Sequence, residues 1–214
     1  YKGYTIQPYS PKAGTGLSSH ELNQPGTYQD VTDTSAVAQF KAIKNTLPEF
    51  LQKVEGDIHF LAWTTTPWTL PSNTALTVGK KIDYVLVKSY NQYTFESINV
   101  ILAKSLVGKQ FDGKFKQVEA KPELIDYKEG DKKIPFYVVK EFKGKDLVGI
   151  TYEQLLDYAL PNDNPENAFR VILGDFVTTE DGTGIVHIAP TFGADDAKVA
   201  ADANVPGMLV LDGK

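Results

Sequence analysis

Residues 57–73 read DIHFLAWTTTPWTLPSN. The first seven, 57–63, are mostly apolar or aromatic, which predicts a β-strand. Pro67 and Pro71 follow, and each lacks a backbone N–H donor and disfavours helix. We therefore expect the segment after the strand to be extended or looped, at the end of a strand that enters the core.

The rest of the chain is also rich in β-branched and aromatic runs. Further strands are predicted at 82–88, 93–102, 136–142, 171–178 and 185–189, with helices at 153–160 and 193–203. Asp181-Gly182 lies between the last two strands and is a typical hairpin turn. Residues 1–30 carry several prolines and glycines and should be irregular. The pattern predicts a β-rich α+β fold, a barrel-like domain with peripheral helices.

The segment after the first strand concentrates polar groups within ten residues. They include the hydroxyls of Thr64, Thr65, Thr66 and Thr69, the Trp68 indole and the Asn73 amide. A proline-broken loop would leave these groups free to face a small polar ligand. An exposed edge strand would explain the threonines equally well, so the residues alone leave both interpretations open.

A second segment, 182–196, reads GTGIVHIAPTFGADD. Gly182 and Gly184 indicate a turn. His187 falls in mid-strand, where a lone histidine is more often a hydrogen-bonded core residue than a catalyst. Asp195 and Asp196 begin the next helix, where one acid can cap the first turn and the other can face a cation.

Several classes of enzyme are excluded by the residues present. The chain has no cysteine, so thiol nucleophiles and thiolate metal sites are ruled out. It also lacks a Gly-x-Ser-x-Gly elbow, a His-Glu-x-x-His helix and a Walker lysine loop. Its histidines at 20, 59 and 187 are too scattered to suggest a metal cluster. We expect no cofactor and no metal, and an active site that uses water as nucleophile.

The charge balance argues against strong binding of nucleic acid by this chain alone. Asp and Glu number 27 against 22 Lys and Arg, whereas modules that grip phosphates are usually basic. Arg170 is the sole arginine, although residues 101–150 are locally rich in lysine. No apolar run approaches the roughly 20 residues of a membrane span.

The two segments together resemble the editing domain of isoleucyl-tRNA synthetase. That domain, connective peptide 1, is an insertion in a class I synthetase catalytic core. The valyl and leucyl enzymes carry Thr-Thr-Arg-Pro where this chain has Thr-Thr-Thr-Pro, so Thr66 favours the isoleucyl branch. The resemblance covers nearly the whole chain. It implies a segment leading in from the core at 1–30, the editing domain at 31–205 and the start of a return segment at 206–214.

The resemblance implies an aminoacyl-tRNA ester hydrolase that clears valine from isoleucine tRNA. The ATP-binding signatures of the parent ligase are absent, so we expect no synthetic site. The implied partners are the 3′ acceptor end of isoleucine tRNA and the catalytic core of the parent, with no membrane and a cytoplasmic location. Two alternatives stay open: a valyl-type editor that clears threonyl-tRNA, and a non-catalytic RNA-docking barrel.

The resemblance also implies roles for individual residues. Asp196 would anchor the substrate ammonium, leaving Asp195 to cap the helix, while Thr66 and Thr69 would hold the ester and the water. His187 would meet the amino-acid side chain and help exclude isoleucine, a role we prefer to that of general base. Further substrate contacts are expected from Thr64, Thr65, Trp68 and Asn73; for Trp68, a purely structural indole is an equal alternative.

Overall fold

The computed structural model describes residues 7–30, 32–119 and 127–211 of the 214-residue chain. Parts of the three predicted regions therefore lie outside the described residues: 1–6, 31 and 212–214, together with 120–126 inside the editing region.

A six-stranded sheet and a three-stranded sheet contain most of the described strands. The strands are β1 (Tyr9–Ser10), β2 (Thr15–Gly16), β3 (Ala36–Lys41), β4 (Ile58–Thr64), β5 (Ala75–Val78), β6 (Asp83–Tyr90), β7 (Ser97–Ala103), β8 (Phe115–Gln117), β9 (Ile134–Lys143), β10 (Arg170–Leu173) and β11 (Ile185–Ile188). The α-helices are α1 (Ser19–Leu22), α2 (Glu49–Gln52), α3 (Val107–Gln110) and α4 (Ala194–Asp202). Short 3-10 helices connect several of them.

The large sheet has the order β3-β4-β7-β6-β9-β8, and the small one has the order β10-β5-β11. Both sheets are mixed. In the large sheet β4 pairs in parallel with β7, while β3 and β4 are antiparallel. In the small sheet β5 pairs in parallel with β10 and antiparallel with β11.

The main core lies between the two sheets. Phe60 and Leu86 from the large sheet meet Leu76 and Ile185 from the small one, all fully or almost fully buried. A second apolar cluster covers the other face of the large sheet, where Val87 packs with side chains of α3 and β9. Strands buried on both faces carry near-continuous apolar runs, as β6 and β7 do here.

The prediction of a β-rich fold with few helices is confirmed. The sheets of the described residues do not close into a barrel. The strand predicted at 57–63 corresponds to β4, and the helix predicted at 193–203 corresponds to α4. Residues 9–22, expected to be irregular, hold a short hairpin and the capped helix α1.

Two local predictions are wrong. Residues 153–160 form no helix; the Gln154 amide instead donates to the carbonyls of Leu156 and Ala159. Such local side-chain bonds offer the backbone an alternative to helix. The predicted Asp181-Gly182 hairpin is also absent, because β10 and β11 do not pair with each other but flank β5.

The segment expected to be extended or looped after β4 is a 3-10 helix, Pro67–Ser72. Pro67 opens it, a position where a helix needs no N–H donor. Its i to i+3 bonds run from Thr69 N to the Thr66 carbonyl and from Asn73 N to the Leu70 carbonyl, so neither requires a donor from Pro71. The tight turn brings Thr66 and Thr69 onto one side.

A substitution at Gly184 should be strongly destabilising. Gly184 has a φ of 72°, and an added Cβ would overlap the Ala103 Cβ. We expect Gly184→Ala to lower the free energy of unfolding of the 214-residue chain by about 2 kcal/mol or more, measured by urea denaturation. Gly108→Ala is the control, since nothing lies near its added Cβ. Equal stability of the two variants would contradict the packing described.

Candidate functional site

The threonine segment forms a row of hydroxyls at the end of β4. Thr66 N donates to Thr64 Oγ1 at 3.0 Å, and the hydroxyls of Thr64 and Thr66 lie 3.3 Å apart. The hydroxyls of Thr66 and Thr69 are 3.4 Å apart. Thr64 and Thr69 are buried, whereas Thr65 and Thr66 are exposed. The row therefore runs from the core to the surface, with Thr66 at its accessible part.

His187 joins this row from the other sheet. It lies in β11, is 6% exposed, and its Nε2 is 3.1 Å from Thr69 Oγ1. Thr69 has a single hydroxyl hydrogen, which it donates to the Thr66 carbonyl at 2.8 Å. We therefore assign the proton to Nε2, which donates to Thr69. The other nitrogen, Nδ1, is then an acceptor, and it is buried without a hydrogen-bond partner among the described residues.

Burial lowers the pKa of His187 from its ordinary value to about 4. The imidazole is therefore neutral at pH 7. Proton acceptors work best when their pKa lies near the working pH. His187 is accordingly a weak base at neutral pH, held by its hydrogen bond to Thr69.

Asp196 lies in the first turn of α4 and is half-buried. Its Oδ2 accepts a hydrogen bond from Ala189 N at 2.8 Å. Burial raises the pKa of the carboxyl, the Ala189 bond opposes that rise, and the Asp195 charge adds to it. In the described part of the chain no lysine or arginine pairs with it. Asp196 is thus a partly desolvated carboxylate with no cationic partner among the residues that the structure describes.

The helix cap differs from the expectation for Asp195. The N-cap of α4 is Gly193, without a side-chain cap bond, and Asp195 is exposed in the first turn. Gly193 leaves room for the neighbouring acid, since an added Cβ would lie 3.1 Å from Asp196 Cγ. Asp195 is left to complement the helix dipole only.

One short stretch of β11 and its continuation connects the hydroxyl row with the carboxylate. His187 bonds to Thr69, and Ala189, two positions on, bonds to Asp196. Two residues of extended chain span about 7 Å. The hydrogen bonds that hold Thr69 and Asp196 are therefore made by residues only two positions apart on the same stretch of backbone.

The remaining predicted contacts divide by exposure. Trp68 is 61% exposed beside the hydroxyl row. Asn73 is buried and bonds only within the protein in the described structure: its amide nitrogen donates to the Ala75 and Ile188 carbonyls, and its oxygen accepts from Tyr152. Asn73 therefore connects β5, β11 and Tyr152 in the interior, next to the hydroxyl row.

Sequence reasoning missed the part played by Thr183. Its hydroxyl accepts from Trp63 N at 3.2 Å, and its carbonyl accepts from Ala103 N at 2.8 Å. The residue thereby ties the start of β11 to the ends of β4 and β7. Gly182 on one side has a φ of 73° and packs on the Trp63 ring. The Gly-Thr-Gly sequence is thus a junction between sheets, a role that its composition alone does not reveal.

A separate cavity lies apart from these residues. A groove of about 930 Å³ beside α4 is lined by residues that include Thr191 and Ala194, but by neither His187 nor Asp196. Within the described ranges, no group of three or more His, Asp or Glu side chains is placed to hold a metal ion. None of the helices described is long and apolar enough to cross a membrane.

Comparison with known proteins identifies the relatives of the chain. It is 64% identical over 212 residues to the isoleucine–tRNA ligase of Cytophaga hutchinsonii, a match that covers 99% of the chain and 18% of that protein. The Bacteroides fragilis enzyme is 64% identical over 214 residues, covering 100% and 18%. The resemblance to isoleucyl-tRNA synthetase is confirmed. The Clostridium tetani ligase is 42% identical over 212 residues, covering 99% of the chain and 16% of the ligase.

The chain thus spans less than a fifth of the length of the ligases it matches. No protein-family model matches it.

Solved structures show the same fold. The P. knowlesi cytosolic leucyl-tRNA synthetase editing domain superposes with a TM-score of 0.56 and 13% identity, covering 79% of this chain and 62% of that one. GlLeuRS-CP1 gives 0.52 and 17%, covering 79% and 58%. At these identities the likeness concerns the fold, which is that of the editing domains of class I synthetases.

We expect the His187 ring to be neutral and protonated on Nε2 at pH 5. Its pKa falls on folding, so the associated stability is complete above about pH 6.5 and is lost as the pH falls towards about 4. Nitrogen-15 NMR of the 214-residue chain measures both the tautomer of the His187 ring and the pH at which the ring titrates.

A His187→Gln variant separates this effect from those of His59 and Asp196, whose pKa values are also shifted. The variant should lose less stability between pH 6.5 and pH 4 than the parental chain. A ring that titrates near 6.5, or one protonated on Nδ1, would contradict the assignment.

Proposed function

We propose that this chain is the editing domain of an isoleucine–tRNA ligase and hydrolyses valine esters of isoleucine tRNA. The observation that carries the proposal is the shared anchorage of the hydroxyl row and Asp196 on residues 187–189. We further propose that 31–205 is the editing domain, with 1–30 leading in from the catalytic core and 206–214 leading back.

Asp196 is proposed to bind the α-ammonium of the esterified amino acid. Its carboxylate is half-buried and lacks a cation among the described residues. A charge-assisted hydrogen bond to an ammonium is stronger than a neutral one. The Ala189 N–H fixes one carboxylate oxygen, so the other is free to meet the substrate.

Thr66 and Thr69 are proposed to position the ester and the attacking water. Hydroxyl groups both donate and accept, so a row of them can orient water and stabilise a developing oxyanion. His187, with a pKa of about 4, contributes little as a base at neutral pH. The rate enhancement would therefore come mainly from positioning, with assistance from a hydroxyl of the terminal adenosine.

His187 is proposed to select by size. Isoleucyl-tRNA synthetase is itself the usual example of the limit on synthetic selectivity, where one methylene contributes only about 1–3 kcal/mol. A second, smaller pocket reverses the preference, because an extra methylene in a tight space costs about 1–3 kcal/mol. The hydrogen bond to Thr69 fixes the imidazole, so the ring would not move aside for a larger substrate side chain.

The proposed partner is the single-stranded 3′ acceptor end of the tRNA. The exposed Trp68 and Thr65 lie beside the hydroxyl row, where an indole can stack on a base. The net charge of −5 is poorly suited to holding a whole tRNA, a task we assign to other parts of the parent ligase. Neither a cofactor nor a metal has a place in this proposal.

Asp196→Ala in the full-length ligase should abolish most deacylation of valyl-tRNA. Removal of a hydrogen bond to a charged group costs about 1.5–3 kcal/mol, or roughly 10- to 150-fold in rate. Isoleucine charging should be unchanged. The matched control is Asp195→Ala, the exposed neighbour, which should deacylate normally. Parental activity in the Asp196 variant would reject the ammonium anchor.

His187→Ala in the same ligase should widen the pocket. We expect hydrolysis of correctly charged isoleucyl-tRNA to rise at least tenfold, the equivalent of about 1.4 kcal/mol, because the barrier to the longer side chain is removed. His20→Ala, at an exposed position, is the control. Continued protection of isoleucyl-tRNA would exclude His187 as the size filter.

The rival functions are separated by substrate. Deacylation of threonyl-tRNA in preference to valyl-tRNA would favour a valyl-type editor. Tight binding of the acceptor end with no deacylation of either would favour the RNA-docking barrel.

A further inference from the structure

Tyr152 lies behind the site, outside both motifs that the sequence analysis singled out. It is 1% exposed, and its hydroxyl donates to Asn73 Oδ1 at 2.6 Å. Its ring meets Phe40 edge-on at 5.3 Å and Phe169 at 6.2 Å. The aromatic contacts hold the ring, so the position of the hydroxyl is fixed.

The Tyr152 hydroxyl determines which way the Asn73 amide faces. A donor hydroxyl must meet the amide oxygen, which directs the amide nitrogen towards the opposite side. There it donates to the Ala75 carbonyl at 2.8 Å and the Ile188 carbonyl at 3.4 Å. Asn73 therefore bridges the start of β5 and the end of β11.

Ile188 lies between the two residues whose hydrogen bonds connect this stretch of chain to Thr69 and to Asp196. His187 before it bonds to Thr69, and Ala189 after it bonds to Asp196. The Ile188 carbonyl also accepts from Thr74 N at 2.9 Å. A shift of Ile188 would move both attachments relative to the hydroxyl row.

Phe169 connects Tyr152 to Thr74, the residue that follows Asn73. Its φ is 57°, a left-handed conformation that is unusual for a bulky residue. Its N–H donates to the Thr74 carbonyl at 2.6 Å, and its carbonyl accepts from Tyr152 N at 2.9 Å. Strained backbone of this kind persists only where the surroundings hold it, often near functional sites.

We infer that Tyr152 is a positioning residue for deacylation, acting through Asn73 to hold His187 and the Ala189–Asp196 contact against Thr69. The inference rests on the proposed function. Burial also raises the pKa of the Tyr152 hydroxyl well above its ordinary value, so the hydroxyl stays a donor across the working range of pH.

The test is Tyr152→Phe in the full-length ligase, which keeps the ring and removes the donor. We expect kcat for valyl-tRNA deacylation to fall roughly tenfold with little change in KM, because geometry at the reacting atoms is affected more than binding. Isoleucine charging should be unchanged.

Two controls separate positioning from loss of stability. Tyr93→Phe changes a tyrosine that is 78% exposed and should have no effect. Val87→Ala opens the apolar cluster on the far face of the large sheet; it should lower Tm while leaving deacylation kcat at the parental value.

Asn73 supplies the decisive comparison. If Tyr152 acts through Asn73, the Tyr152→Phe change should add nothing to kcat in an Asn73→Ala background. Asn73→Asp retains an acceptor for Tyr152 but cannot donate to Ile188, so it should lose deacylation as Asn73→Ala does. This variant tests the route even if Tyr152→Phe fails to fold.

The inference would be overturned, and the proposed function would stand, if Tyr152→Phe or Asn73→Asp kept the parental kcat. The same holds if the effects of the Tyr152 and Asn73 substitutions on kcat were independent of each other. A parental ligase that does not deacylate valyl-tRNA would overturn the proposed function, and the inference with it.

Discussion

The hydrogen bond between Thr69 and His187 is the contact on which the site depends. It joins the 3-10 helix after β4 to β11, and so connects the two sheets. Because Thr69 also donates to the Thr66 carbonyl, the bond fixes the imidazole tautomer. Burial then keeps the ring neutral. The contact with Thr69 therefore fixes the orientation and tautomer of the imidazole, and burial determines its charge.

The rest of the fold serves to hold those two elements together. Gly182 and Gly184 adopt left-handed conformations in close contact with Trp63 and Ala103, so β11 starts directly against the large sheet. The Tyr84 hydroxyl donates to the Gly184 carbonyl at 2.6 Å and fixes that start. At the other end of β11, Asp196 bonds to Ala189. The hydrolysis proposed above relies on positioning, which needs such fixed supports more than it needs reactive groups.

Local sequence patterns predicted six of the described strands, β4, β6, β7, β9, β10 and β11, but not β3, β5 or β8, and not how the strands pair. The composition of 57–63 and the acids at the start of α4 were sufficient for those elements. The hairpin prediction is wrong because β5, a four-residue strand, separates β10 from β11, and such non-local pairing leaves no signal beside Asp181-Gly182. Tyr152 escaped notice for the same reason, since it bonds to Asn73 across 79 positions.

The most direct test of the central claim is a crystal structure of this chain with a non-hydrolysable valyl-adenosine ester analogue. We expect the ammonium of the analogue to lie within hydrogen-bond distance of Asp196, its carbonyl beside Thr66 and its isopropyl group against His187. An analogue bound in the groove beside α4, or one whose ammonium points away from Asp196, would contradict that claim.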